Sequence, residues 1–121
     1  MPRILLIDDD PAIRVALARL LTYDGHSVTT AENGDKGLRL VEAQRVDLVI
    51  TDVVMPEVDG LEFLIRLRRM ESPPPVIVLS GGGSQLVTPY LDLAVQFGAA
   101  AVLTKPVVLS EMREHIARLT I

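Results

Sequence analysis

The sequence predicts a three-layer α/β domain in which helices cover both faces of a central five-stranded parallel sheet. Five short strand-like runs alternate with segments of helical periodicity, which gives five β/α units. The residues are 49% hydrophobic but only 3% aromatic, a composition typical of aliphatic strands buried on both faces. Helices of about ten residues between short strands require crossover connections, which make the strands parallel. A barrel needs eight such units, for which 121 residues leave no room.

The first unit begins with the aliphatic run Ile4–Ile7, a predicted strand. Asp10 is a suitable N-cap for the following helix, because Pro11 then takes the first helical position, where its missing N–H costs nothing. This helix is predicted to end near Gly25. Its core-facing stripe consists of aliphatic residues at helical spacing: Ile13, Ala16, Leu17, Leu20 and Leu21.

The other four units follow the same alternation. Their predicted strands are His26–Thr30, Leu48–Ile50 continuing into Thr51 and Asp52, Val76–Leu79 and Ala101–Leu103. The second helix is predicted to begin after the Asn33-Gly34 turn, with Leu38 and Val41 facing inward. The third is predicted to begin at the capping-box pair Asp59 and Glu62, the fourth near Leu86 and the fifth after Ser110. The fourth helix is predicted to end near Phe97, before Gly98, and the fifth to run to the terminus.

Composition and charge exclude several classes of function. The net charge of −4 provides no basic footprint, so direct nucleic-acid binding is not expected. With no cysteine and only two scattered histidines, disulfides, thiolate zinc sites and a cysteine nucleophile are excluded. Aspartates interrupt the first apolar run after four residues, and prolines and glycines interrupt the uncharged segment 72–91. Neither a secretory signal nor membrane insertion is therefore expected, and the expected location is the cytoplasm.

Residues suited to binding phosphate or metal stand at the ends of four predicted strands: Asp8, Asp9, Asp52, Ser80 and Lys105. The carboxyl ends of parallel strands face one crevice, where open α/β sheets bind their ligands. Three neighbouring carboxylates repel one another unless a cation intervenes, and magnesium (Mg2+) prefers oxygen ligands. An ionised Asp52 beside magnesium, a lysine and a hydroxyl group is suited to nucleophilic phosphoryl transfer.

Each of these features also has a purely structural interpretation. The aspartate run could serve only to cap the first helix, and Asp10 is assigned to that role, which leaves Asp8 and Asp9 for a site. Lys105 could be a strand-end lysine whose stem covers apolar surface. The three glycines after Ser80 could belong to an ordinary surface loop. The combination of residues at the ends of different strands favours the functional interpretation.

The ordered motifs Asp8-Asp9, Asp52-Val-Val-Met-Pro-Glu-Val-Asp-Gly60, Ser80-Gly81 and Thr104-Lys105-Pro106 resemble those of the receiver domain of two-component response regulators. The resemblance covers essentially the whole chain and implies a flavodoxin-like (βα)5 fold. It implies that Asp52 is the phosphoacceptor and that the donor is a phosphohistidine on a sensor histidine kinase or phosphotransfer protein. It also implies that Asp9 binds magnesium directly, that Asp8 binds it through water and that the Val54 carbonyl is a further ligand. Lys105 is implied to pair with the phosphate, and the Ser80 hydroxyl to sense the phosphoryl group.

The resemblance also sets expectations for the whole protein. Residues 1–121 are expected to form a single, stand-alone receiver domain, although a fragment of a longer regulator remains an alternative. We expect a monomer or weak dimer that changes its contacts with an unidentified downstream protein. It is not expected to be an enzyme, except that it assists its own phosphorylation and dephosphorylation. Two other functions are an interaction module that is never phosphorylated and an aspartyl phosphatase. The phosphatase is disfavoured because Val54 replaces the second acid that such enzymes usually need.

Two further features concern signalling contacts. Receiver domains often carry an aromatic residue three positions before the lysine, where this chain has Val102. We therefore expect signalling to depend on the glycine loop 81–83 and the fourth helix. Apolar residues outside the core stripe of the first helix, together with one beside Lys105, could dock a kinase helix bundle: Ala12, Val15, Ala18 and Val107.

Overall fold

The computed structural model describes residues 2–52, 60–81 and 94–120, and it confirms the predicted fold class. The strands are β1 (Arg3–Ile7), β2 (Ser27–Ala31), β3 (Leu48–Asp52), β4 (Val76–Gly81) and β5 (Ala101–Lys105). Between and after them the described helices are α1 (Pro11–Tyr23), α2 (Gly34–Ala43), α3 (Gly60–Arg68) and a C-terminal helix (Leu109–Leu119).

The five strands form one parallel sheet in the order β2-β1-β3-β4-β5. The sequence predicted parallel strands, but it did not predict this order. The chain passes outward from β1 to β2 and then returns across β1 to β3, so the direction of winding reverses between β1 and β3. Such a reversal leaves a crevice at the carboxyl ends of the two strands, where open α/β sheets bind ligands.

The core lies in two layers, one on each face of the sheet, because successive residues of a strand point to opposite faces. On one face, Leu5 and Ile7 pack in a cluster with helix residues including Leu38 and Phe63. On the other face, Ile4 and Leu6 pack with residues including Leu17, Leu21, Met112 and Ile116. The helices α2 and α3 therefore cover one face, and α1 and the C-terminal helix cover the other.

The predicted starts of the first two helices are confirmed. The Asp10 carboxylate accepts hydrogen bonds from the backbone N–H groups of Ala12 and Ile13, at 2.9 and 3.4 Å. The Asn33 side chain accepts one from Lys36 N–H at 2.9 Å. Helix α1 ends at Tyr23, and the turn that follows requires the positive φ of +94° that Gly25 adopts.

Several predicted boundaries differ by one or two residues from those observed. The second strand starts at Ser27, because the His26 N–H still donates to the Leu21 carbonyl in the turn that ends α1. The C-terminal helix starts at Leu109 rather than after Ser110, and its N-cap is Val108, which makes no side-chain hydrogen bond. Burial of its apolar face, rather than capping, sets this start. The helix ends at Leu119 and so does not run to the terminus.

Parts of two predicted helices lie outside the described residues. These are Asp59 of the capping box and residues 86–93 of the fourth helix. The described portion of that helix, residues 94–96, is helical, and Gly98 follows with a φ of +99°, as expected of a glycine after a helix end. The longest helix described has 13 residues, and none of those described could cross a bilayer.

Asp47, which directly precedes β3, is expected to make folding stability depend on pH. Asp47 accepts hydrogen bonds from the Arg3 backbone N–H at 2.8 Å and from Arg45 Nε at 3.1 Å, and the Arg3 bond is the main reason that the pKa of Asp47 is lowered. A carboxylate with a lowered folded-state pKa stabilises the fold above its unfolded-state pKa of about 3.9, and this contribution is lost as pH falls through the folded-state value.

We therefore expect Asp47→Asn to lower the free energy of unfolding by about 1 kcal/mol at neutral pH, since an ionised acceptor bonds more strongly than an amide. The difference from the native chain should decrease below pH of about 4 and vanish in stronger acid. Urea denaturation of both proteins across this range measures it. A difference that stays constant with pH would contradict the assignment.

Candidate functional site

Three carboxylates converge at the crevice between β1 and β3. Asp8 directly follows β1, and Asp52 is the last residue of β3. One oxygen from each of Asp8, Asp9 and Asp52 lies within 4.8 Å of the other two. Asp8 and Asp52 are buried, whereas Asp9 is exposed. The structure thus brings together the acids that the sequence assigned to the site, with one of them open to solvent.

Lys105, the last residue of the edge strand β5, bridges two of these acids. Its Nζ lies 3.0 Å from Asp52 Oδ2 and 3.2 Å from Asp8 Oδ2. Burial disfavours the charged ammonium, but the hydrogen bonds and opposite charges of Asp52 and Asp8 outweigh it, so the pKa of Lys105 is raised. The side chain is therefore a cation at neutral pH. One lysine against three carboxylates leaves the cluster with an excess of negative charge.

Hydrogen bonds hold the loop that carries the first two acids. The Asp8 N–H donates to the Ala31 carbonyl at 3.2 Å, and Asp8 Oδ1 accepts the Asp10 N–H at 2.9 Å. The Asp8 carbonyl accepts a hydrogen bond from Arg14 Nη1 at 2.8 Å. Sequence analysis did not identify Arg14. Its position one turn into α1 gave no sign that its side chain reaches back to the end of β1.

The hydroxyl residues lie deep at the same end of the sheet. Ser80 is 1% exposed. It pairs in register with Thr104 of β5, and the residue before it, Leu79, pairs with Asp52 of β3. Thr51 is also buried, and its hydroxyl donates to the Asp52 backbone carbonyl at 3.0 Å. Strand pairing therefore brings Ser80 to the same end of the sheet as Asp52 and Lys105.

Comparison with known proteins decides the family. The family model of the response regulator receiver domain matches residues 4–117. The chain belongs to this family. As a receiver domain it is a component of two-component signalling, and the resemblance stated from the sequence is confirmed.

Individual relatives agree with this assignment. The chain is 42% identical over 104 residues to the transcriptional regulatory protein GlrR of Escherichia coli, covering 86% of this chain and 23% of the relative. It is 41% identical over 107 residues to the transcriptional regulatory protein AfsQ1 of Streptomyces coelicolor, covering 88% of this chain and 46% of the relative. The chain thus spans less than half the length of these curated relatives.

Solved structures show the same fold. A response regulator receiver domain protein from Clostridium thermocellum superposes with a TM-score of 0.90 at 32% identity, covering 99% of this chain and 94% of that one. A response regulator receiver protein from Pseudomonas putida gives 0.88 at 27% identity, covering 97% and 96%. Both matches extend over nearly the full length of each chain.

The donor set of this receiver domain fits magnesium. Three carboxylate oxygens in close proximity are hard, anionic ligands, and the excess negative charge of the cluster favours a divalent cation. The exposure of Asp9 leaves room for the water ligands that magnesium retains. Val54, whose backbone carbonyl was predicted as a further ligand, lies outside the described residues.

The residues predicted to transmit the signal are only partly described. Val102 pairs in register with Val78 and packs against the core cluster that contains Phe63. Residues 82 and 83 of the glycine loop lie outside the described residues, so their expected role stays a prediction.

Proposed function

We propose that this receiver domain accepts a phosphoryl group on Asp52 from a phosphohistidine of a sensor histidine kinase or a phosphotransfer protein. The observation that carries the proposal is the simultaneous pairing of Lys105 Nζ with Asp52 and Asp8 beside Asp9. Such an arrangement holds a nucleophilic carboxylate, a cation for the phosphoryl oxygens and a cluster of metal ligands within one crevice. Membership of the receiver family supports the same reaction.

In the proposed step, an oxygen of Asp52 attacks the phosphorus of the phosphohistidine. The new P–O bond forms as the P–N bond breaks, and the imidazole leaves with the electron pair and takes up a proton. Lys105 pairs with a phosphoryl oxygen, and the Ser80 hydroxyl donates to another. Asp8, Asp9, Asp52 and the Val54 carbonyl would hold magnesium, Asp9 directly and Asp8 through water. Bound magnesium would neutralise phosphoryl charge during the transfer.

The proposed partners follow from the same reaction. We propose that the kinase or phosphotransfer protein docks against the exposed apolar residues Ala12 and Val15 of α1, of which Val15 is 48% exposed. Ala18 and Val107, predicted for the same surface, are partly buried against the core and contribute less to it. The phosphorylated domain, a monomer or weak dimer in the cytoplasm, then changes its contacts with a downstream protein. It assists its own phosphorylation and later hydrolysis but turns over no separate substrate.

Incubation with acetyl phosphate and magnesium, followed by intact-mass measurement, tests the proposal. We expect one phosphoryl group per chain, stable in acid and labile in base, and no adduct when a chelator removes magnesium. No adduct under any phosphodonor would instead support an interaction module that is not phosphorylated. Catalytic consumption of phosphate esters would support an aspartyl phosphatase.

A further inference from the structure

We propose that Arg14 is a positioning residue that orients Asp9 for magnesium. Its guanidinium donates to the main-chain carbonyl of Asp8 at 2.8 Å, in the stretch of chain that connects β1 to α1. Since the metal role of Asp9 belongs to the proposed function, this role of Arg14 rests on that function. Arg14 lies outside the motifs on which the resemblance to receiver domains rests.

The contact bears directly on Asp9 through the geometry of the peptide bond. The Asp8 carbonyl and the Asp9 N–H belong to one rigid plane, so fixing the oxygen fixes the orientation of the whole peptide. The chain on either side of this peptide is also held, since the Asp8 N–H donates to the Ala31 carbonyl and, beyond Asp9, the Asp10 N–H donates to the Asp8 carboxylate. Arg14 adds a restraint on the peptide that joins Asp8 to Asp9, and so on the direction in which the chain carries Asp9 away from the sheet.

Asp9 needs such a restraint more than the other two acids. Asp8 and Asp52 are buried, and both are paired with Lys105. Asp9 is exposed, so burial does not hold its backbone or its side chain in one orientation. Residues that orient metal ligands typically change metal affinity by roughly ten- to a hundredfold when they are removed.

The direction of the change in magnesium affinity distinguishes a positioning role of Arg14 from a purely electrostatic one. Arg14 is a cation close to an acidic cluster, so its removal should strengthen magnesium binding if only Coulomb attraction mattered. If Arg14 positions Asp9, removal should weaken binding. Arg14 lines an open cavity of about 430 Å³ and is only partly buried. Loss of the guanidinium should therefore leave the core intact and affect mainly the orientation of the chain at Asp9.

The experiment is calorimetric titration with magnesium of the native chain and of Arg14→Met, which keeps an aliphatic stem but donates no hydrogen bond. We expect roughly tenfold weaker binding by Arg14→Met. Arg14→Lys, which keeps the charge and a donor, should recover much of the affinity. Arg19→Met is the matched control, because Arg19 lies on the same helix and is exposed, and its binding should equal or slightly exceed native binding. Arg14→Leu, which also donates no hydrogen bond, replaces Arg14→Met if the latter does not fold.

A second readout uses the rate of phosphorylation by acetyl phosphate at increasing magnesium. The variant should need roughly tenfold more magnesium for half its maximal rate and should approach the native rate at saturation. If folded Arg14→Met binds magnesium as tightly as the native chain or more tightly, the positioning role of Arg14 is wrong, while the proposed function is unaffected. If the native chain binds no magnesium and forms no adduct, the proposed function fails, and the role of Arg14 fails with it.

Discussion

An Asp52→Asn variant is expected to gain no phosphoryl group from acetyl phosphate in the presence of magnesium. The substitution keeps the size of the side chain but replaces the ionised nucleophile with a neutral amide, which cannot form the acyl phosphate. Folding should persist, because Lys105 retains its 3.2 Å pairing with Asp8. Intact-mass measurement of variant and native chain under identical conditions gives the result directly.

Asp10→Asn is the matched control for this experiment. Asp10 belongs to the same run of aspartates, but its carboxylate caps α1, and asparagine caps a helix about as well as aspartate. This variant should therefore be phosphorylated like the native chain. An adduct on Asp52→Asn equal to that of the native chain would mean that another residue accepts the group.

Replacement of Lys105 by methionine is expected to impair both stability and phosphorylation. Without the ammonium, the buried Asp8 and the adjacent Asp52 lose their shared cation, and we expect the free energy of unfolding to fall by about 2 kcal/mol in the absence of magnesium. The raised pKa of Lys105 means that its contribution is complete below the unfolded-state value of about 10.4 and is lost only as pH rises through the folded-state value. The effect should therefore be fully present at neutral pH.

Addition of magnesium should restore part of this loss, because a divalent ion compensates the same carboxylates. The initial rate of phosphorylation at saturating magnesium should nevertheless fall by about a hundredfold, since the phosphoryl oxygens lose a charged partner. Urea denaturation with and without magnesium, and the rate of adduct formation, measure the two effects.

Lys36→Met is the control variant. It removes an exposed lysine that is paired only with Glu32 among the described contacts, and it should change the free energy of unfolding by less than about 1 kcal/mol. Equal losses in both variants would contradict a specific role for Lys105.

Much of this site followed from local sequence features. A polar residue at the end of a buried aliphatic run stands at the carboxyl end of a strand, and parallel strands bring such ends together. Asp52, Ser80 and Lys105 could be grouped on that basis. Asp10 was separable from its neighbours because capping depends only on the residues that immediately follow it.

Other features depend on tertiary packing and could not be predicted. The order of the strands depends on contacts between residues far apart in the chain, and local sequence patterns do not reveal these contacts. The C-terminal helix was predicted to begin after Ser110, but it begins at Leu109 without a side-chain cap and buries Met112 and Ile116. Arg14 was missed because a long, flexible side chain can reach several partners, and only the fold selects the Asp8 carbonyl.

The pairing of Lys105 with Asp8 joins residues 97 positions apart, so the site depends on completion of the fold. During synthesis the three aspartates leave the ribosome long before their counter-ion does. Until β5 docks at the edge of the sheet, the acids share one end of a partly assembled domain without the lysine. The complete charge pairing of the site is therefore expected to arise only with the last strand.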